Sequence, residues 1–279
     1  MALNITPVTN HREREKGCIV YPVYSRRSAG LSVGINLFPG KKTCQFDCPY
    51  CEVFPFSANA SFDLSQMEDD LRAAITAARS ENIPVKDICF SGNGEPTLSP
   101  VFAEAFNLAE KIREEASPCA KLVVITNGTG LLQPNVFKFL KDAASSPSLD
   151  IWLKLDAGTS EWYQKMNRCV IPHNKLMEKI KEFTSCVPAT IQTMLCAINR
   201  ETPSREEAQE WEALVCALAA NSKDSKAGIR KVQLYGKARA APEDPHASSL
   251  PAEYLEKRAS SLRGKFAENN ITAPVEIYI

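Results

Sequence analysis

The sequence predicts an α/β fold built on a parallel sheet, and three observations predict it. Six runs rich in apolar and β-branched residues recur along the chain: LSVGINLF (31–38), VKDICFSG (85–92), KLVVITNG (121–128), LDIWLKLDA (149–157), ATIQTMLCAI (189–198) and IRKVQLYG (229–236). They are continuous rather than alternating, the pattern of strands covered on both faces. Amphipathic segments separate them, and from about residue 30 no linker, low-complexity stretch or repeat interrupts the alternation. Six strand–helix units in series imply right-handed parallel crossovers, which leaves either an open doubly wound sheet or a partial barrel.

The helices follow from spacing. Leu64, Met67, Leu71, Ile75 and Ala78 recur at helical intervals, with Ser65 and Glu68 placed as a capping box. Phe102, Ala105, Phe106, Ala109 and Ile112 repeat the pattern, with Ser99 expected as N-cap and Pro100 as the first helical residue. Further helices are expected at 133–145, 174–185, 204–220 and 251–268, the third of these with Trp211, Leu214, Val215 and Leu218 on one stripe. APVEIYI closes the chain as an edge strand.

At 279 residues, 44% of them hydrophobic, the chain has ample material for a buried core. Lys plus Arg and Asp plus Glu both number 33, so no net charge draws it to nucleic acid. A local basic surface from HREREK, SRRSAG (25–30) and GKAR (236–239) stands against the plainer reading of scattered solvated charges. No apolar run approaches the roughly 20 residues that cross a bilayer, and MALNITPVTNHREREK lacks the apolar core of a signal peptide. No membrane partner is expected, and the cytoplasm is the expected location. In that reducing compartment ten cysteines do not make a disulfide framework. Cys89, Cys186, Cys196 and Cys216 sit in apolar segments and read as buried thiols.

In either architecture chemistry gathers where strands end and loops begin. CQFDCPYC follows the first strand, GNGEP (92–96) the second, TNG (126–128) the third, KLDAG (154–158) the fourth and YGKAR (235–239) the sixth. Three readings compete for Cys44, Cys48 and Cys51. Structural zinc asks for four closed ligands, and no second C-x-x-C pair exists. A disulfide leaves one thiol over. A four-iron, four-sulfur cluster normally takes four thiolates, so three leave one iron open to an outside ligand. The C-x-x-x-C-x-x-C spacing on a loop after the first strand favours the cluster.

CQFDCPYC resembles the cluster motif of the radical S-adenosylmethionine (SAM) superfamily, including an aromatic residue, Tyr50, before the third cysteine. SGNGEPTL resembles that superfamily's Gly-Gly-Glu-Pro motif, with Asn93 inserted between the glycines. Together with YPVYSRRSAGLSVGINLFPGKK, IWLKLDAG and VQLYGKARAAP, these motifs look like the group related to the wyosine-forming, tRNA-modifying enzymes, over roughly residues 18–245. The resemblance implies a partial (β/α)6 barrel with parallel strands, a [4Fe–4S] cluster on Cys44, Cys48 and Cys51, and SAM across the strand ends. Residues 1–29 would pack on the barrel as an N-terminal extension, and 30–279 would form the core with its C-terminal helix and strand. Two departures stand out: no flavodoxin-like domain and no second cysteine cluster are visible.

The implied activity is reductive cleavage of SAM to a 5′-deoxyadenosyl radical that takes hydrogen from an unknown substrate, a nucleoside or RNA base on this resemblance. An external one-electron donor of flavodoxin or ferredoxin type is expected. Gly92, Gly94 and Glu95 are expected at the methionine end of SAM. Thr126, Asn127, Lys154 and Asp156 are placed for ribose hydroxyls or the carboxylate, with a structural ion pair as the equal alternative for the last two. Gln192, Leu234 and Tyr235 would flank adenine, core packing being the plainer reading of Leu234. Arg26, Arg27, Lys237 and Arg239 are candidates to surround an anionic substrate group. Cys18 and Cys169 are candidate hydrogen donors. His11, His173 and His246 fall in expected loops without ligand spacing and receive no role. Alternative functions are a peptide or protein modifier such as a glycyl-radical activase, and a non-catalytic iron–sulfur electron-transfer protein.

Overall fold

The computed structural model describes residues 17–220, 227–243 and 246–279. The HREREK segment and His11 lie outside them. Two compact units make up the chain. Of the described residues, the first holds 17–44, Val53–Thr126 and Ser146–Asp150, and the second holds Gln45–Glu52, Asn127–Ser145 and those from Ile151 on.

In the first unit four strands lie side by side in chain order: β1 (Val20–Ser25), β2 (Gly30–Ile35), β3 (Val85–Phe90) and β4 (Lys121–Thr126). β2, β3 and β4 are parallel, with Ile35 beside Phe90 and Phe90 beside Val124, so these strands end level. Val33, Ile35, Ile88, Phe90, Leu122 and Val124 are fully buried. The helix α1 (Leu64–Ser80) buries Met67, Leu71, Ile75 and Ala78. α2 (Phe102–Ala116) sets Phe102 and Phe106 at 5.7 and 5.9 Å from the Phe90 ring. The strand β1, antiparallel to β2, was not expected. VYPVYS is mostly half-buried and holds a proline, so it carries no continuous apolar signal.

The second unit orders its strands β5 (Leu149–Lys154), β6 (Ala189–Ile198), β7 (Ile229–Gly236) and β9 (Val275–Tyr278), all parallel, with β8 (Ala247–Ser249) antiparallel on β6. All ten residues of β6 are buried, as an uninterrupted apolar run requires. The helices are α3 (Pro134–Ala143), α4 (Ser160–Met166), α5 (His173–Thr184), α6 (Arg205–Ala219) and α7 (Ala252–Glu268). α4 and β8 escape sequence reading because seven and three residues are too short for a period to register. Leu214 is only half-buried on its stripe.

Both expected caps are displaced. Asp63, extended at φ −132°, caps α1 by accepting the Gln66 N–H at 2.7 Å, while Glu68 turns to Arg72 at 2.9 Å. A carboxylate one turn ahead of the apolar stripe therefore displaces the Ser65–Glu68 box. Ser99 instead closes a 3-10 turn, Pro96–Leu98, and the N-cap of α2 is Val101, without a side-chain bond. His173 is not in a loop but begins α5, buried, its ring 5.1 Å from that of Tyr163. Cys89 and Cys196 are buried as expected, whereas Cys186 and Cys216 are half-buried. If Asp63 is the cap, Asp63→Ala should cost about 1 kcal/mol and Ser65→Ala under about 0.5 kcal/mol, read from urea unfolding of both variants.

Candidate active site

In the first unit the loop after β2 is bound to the loop after β3. Asn36, 3% exposed, accepts the N–H groups of Phe38 and Asn93, each at 3.1 Å, and donates to the Cys18 carbonyl at 3.0 Å. Thr43 N–H donates to the Asn93 carbonyl at 3.0 Å, and Glu95 N–H donates to the Thr43 carbonyl at 2.8 Å. The residue before Cys44 is thus laced to GNGEP. A Cβ on Gly94 would stand 1.9 Å from the Thr43 carbonyl oxygen, and Gly92 has φ +122°. Only glycines allow backbones this close and turned this way.

Glu95 is 2% exposed, and its Oε1 accepts the Thr97 N–H at 3.2 Å, the Thr97 hydroxyl at 2.5 Å and the Thr126 hydroxyl at 2.7 Å. Its carboxylate fixes the turn, and the Thr126 hydroxyl is directed to that carboxylate. Arg26 and Arg27 lie on the turn between β1 and β2. Because β1 runs antiparallel to β2, that turn is at the start of β2, the opposite end from Gly92–Glu95. Both stand just before the first predicted strand, as read from the sequence. Arg27 lies near Asp87, whose pKa burial raises and whose partners Ser28, Ser32 and Arg27 pull back.

In the second unit the cysteine loop is anchored on Asp156 through Tyr50. Asp156 Oδ1 accepts Met194 N–H and the Lys154 ammonium, each at 2.9 Å, and Oδ2 accepts the Asn167 amide at 3.0 Å and the Tyr50 hydroxyl. Lys154 also donates to the Tyr235 hydroxyl and lies 5.1 and 4.7 Å from the Tyr50 and Tyr235 ring centres. Burial alone would depress the Lys154 pKa, but Asp156 and Tyr235 more than reverse it and hold the ammonium charged. Lys154 and Asp156 thus form a buried ion pair. Burial, then Asp156, pushes the Tyr50 phenol up. Burial, then Asp156 and Cys51, pushes the Cys48 thiol up, partly offset by hydrogen bonds from Tyr50 and Asn167.

Asn127 is buried and accepts from Thr129 N–H at 2.9 Å and its hydroxyl at 2.7 Å, and Gln45 Oε1 lies 2.7 Å from that same hydroxyl. Gln192 donates to Gln233 at 2.7 Å within the sheet, and Leu234 is fully buried, so both belong to the core. Tyr235 is half-buried. Lys237 donates to the Arg239 carbonyl at 2.9 Å, and Arg239 pairs with Glu52, next to Cys51, at 2.9 Å. Cys18 donates to the Val20 carbonyl at 2.7 Å, and Cys169 is buried. Asn36, Gln45, Thr129 and Asn167 carry no spacing signal and were missed in the sequence.

Cys44, Cys48 and Cys51 are half-buried and joined in no disulfide. Among the described residues no three His, Cys, Asp or Glu side chains already stand as a metal-holding group. The fit to an iron–sulfur cluster therefore rests on donor chemistry, three thiols on one short loop, and on the Gly94 approach that sets the start of that loop. No helix among the described residues is long and apolar enough to cross a membrane.

The sequence pattern of the radical SAM superfamily matches residues 41–211. Over 172 residues the chain is 28% identical to a UPF0026 protein of Helicobacter pylori (strain ATCC 700392 / 26695), covering 61% of this chain and 51% of that one. The chain thus spans about half the length of that curated relative. A radical SAM methyltransferase from Sphaerobacter thermophilus superposes with TM-score 0.64 at 16% identity, over 92% of this chain and 68% of that one. Streptococcus suis SuiB bound to S-adenosylmethionine gives TM-score 0.64 at 15% identity, over 88% of this chain and 50% of that one. At such identities the likeness shows the fold alone, and that fold is the expected partial (β/α)6 barrel of mostly parallel strands.

Removing one partner of a buried ion pair strands the other charge. Asp156→Ala should therefore destabilise the protein by about 3–5 kcal/mol, with Lys154→Met on top of it restoring part of the loss, as measured by denaturant unfolding.

Proposed function

The chain belongs to the radical SAM superfamily, whose enzymes use a [4Fe–4S] cluster and SAM, and from that premise we propose that Cys44, Cys48 and Cys51 hold the cluster and that the substrate is a nucleoside or RNA base. When bound, the cluster and SAM supply a one-electron cleavage of the sulfonium that yields methionine and a 5′-deoxyadenosyl radical able to take hydrogen from a substrate. The observation that carries the reading is the loop itself, three thiols without a fourth nearby, pinned at Thr43 to the glycine turn.

The chain's own residues bind and orient. Backbone carbonyls of Gly92–Gly94 would receive the methionine ammonium, with Glu95 and Thr126 holding that turn in shape rather than touching SAM. Tyr50 presents its ring beside the third cysteine, with its hydroxyl fixed by Asp156. Lys154 pairs with Asp156, and Asn127 holds the turn at Gly128. Lys237 and Arg239 remain candidates for an anionic group of the substrate, Arg239 by exchanging its Glu52 partner. The nucleoside reading draws its support from the chain-wide motifs SGNGEPTL, IWLKLDAG and VQLYGKARAAP. A cytoplasmic flavodoxin or ferredoxin would serve as reductant.

Anaerobic reconstitution with iron, sulfide, dithionite and SAM, followed by chromatography, should give 5′-deoxyadenosine from the wild type and none from the variant with all three cysteines changed to alanine. Wild-type product no higher than the variant's, with the cluster shown to be assembled, would sink the reading. RNA should co-purify with the native chain; a single protein partner in its place would refute the nucleoside assignment. Gly94→Ala should load less than half the wild-type iron, because its Cβ collides with the Thr43 carbonyl beside Cys44.

A further inference from the structure

Asn167 reaches both the cysteine loop and Asp156. It is the C-cap of α4 and 1% exposed, with its N–H donating to the Tyr163 carbonyl at 2.8 Å and its carbonyl accepting the Asp47 N–H at 2.9 Å. The main chain is thus fixed from both sides. A side-chain amide has two N–H donors on one nitrogen. Here Nδ2 lies 3.4 Å from Cys48 Sγ and 3.0 Å from Asp156 Oδ2, which uses both. The amide stands between a buried carboxylate and a sulfur that must become a thiolate to bind iron, and it donates to each.

We propose that Asn167 is a positioning residue that holds the Cys48 sulfur through an N–H bond and so raises the reduction potential of the cluster Cys48 helps to bind. The inference rests on the reading of Cys44, Cys48 and Cys51 as cluster ligands. A donor to a ligand sulfur stabilises negative charge there, and the reduced cluster carries one more electron than the oxidised one, so the bond favours reduction. Without the amide, the sulfur loses its donor and faces the Asp156 carboxylate directly. Both changes push the potential the same way, downward. That matters in this reaction because the cluster must first accept an electron from an external donor.

The test uses the full chain, reconstituted anaerobically, with iron and sulfide assayed and the cluster titrated by electron paramagnetic resonance. Asn167→Leu keeps the shape and removes both donors; Asn167→Gln keeps the amide. The Leu variant should shift the reduction equilibrium at least tenfold toward the oxidised state, which for one electron is about 59 mV lower in midpoint. The Gln variant should recover more than half of that shift. Loading of the Gln variant at a near-wild-type midpoint, while the Leu variant takes up no cluster, supports the proposal as well. Equal midpoints in the wild type and the Leu variant overturn it. So do Leu and Gln variants that behave alike, whether in midpoint or in failing to load. A wild-type chain that takes up no iron and sulfide refutes the underlying ligand assignment instead.

Discussion

One buried carboxylate, Asp156, governs the second unit. Desolvating a carboxylate costs several kcal/mol unless donors replace the lost water. Asp156 meets that demand with four: a backbone N–H, an ammonium, an amide and a phenol. Three of them come from elements that must be in place for any chemistry at the strand ends. Lys154 ends β5, Met194 lies within β6, and Asn167 ends α4. The fourth, Tyr50, belongs to the cysteine loop, so the same charge that closes the sheet end also fixes the loop. Charge-assisted bonds of this kind are directional, which is what a short loop without regular secondary structure needs.

The first unit reaches the same end with a second carboxylate. Glu95 is turned inward onto Thr97 and Thr126, tying the end of β4 to the turn after β3. Glu95 Oε1 and both oxygens of Asp156 accept from internal donors, so in each unit an acidic residue at the strand ends acts as an internal strut.

Much of this architecture could be read in advance, for reasons that differ by element. The bounds of β6 and β7 coincide with the expected runs; β6 is buried at all ten positions, and β7 along its middle at Val232, Gln233 and Leu234. The order of motifs followed from parallel topology, which puts the loops after neighbouring parallel strands at the same end. The edge strand β9 was recognisable from its β-branched and aromatic residues. Capping was misjudged because Asp63, Ser65 and Ser99 are all chemically able to cap, and only the local backbone angle selects among them. Asn167 was invisible for another reason. Its partners are 119 and 11 residues away, and an asparagine after a two-turn helix looks like an ordinary helix end.

The ties that fix the cysteine loop share a property with consequences for how the protein is made. Tyr50 is bonded to a residue 106 positions later, Cys48 to one 119 later, and Glu52 to one 187 later. At ribosomal speeds of roughly 5–20 residues per second, about 10–40 s pass between the emergence of Glu52 and of Arg239. During that interval the loop is already outside the ribosome while its last partner is not. A cluster held on this loop would then be inserted late in biogenesis, once those partners have emerged.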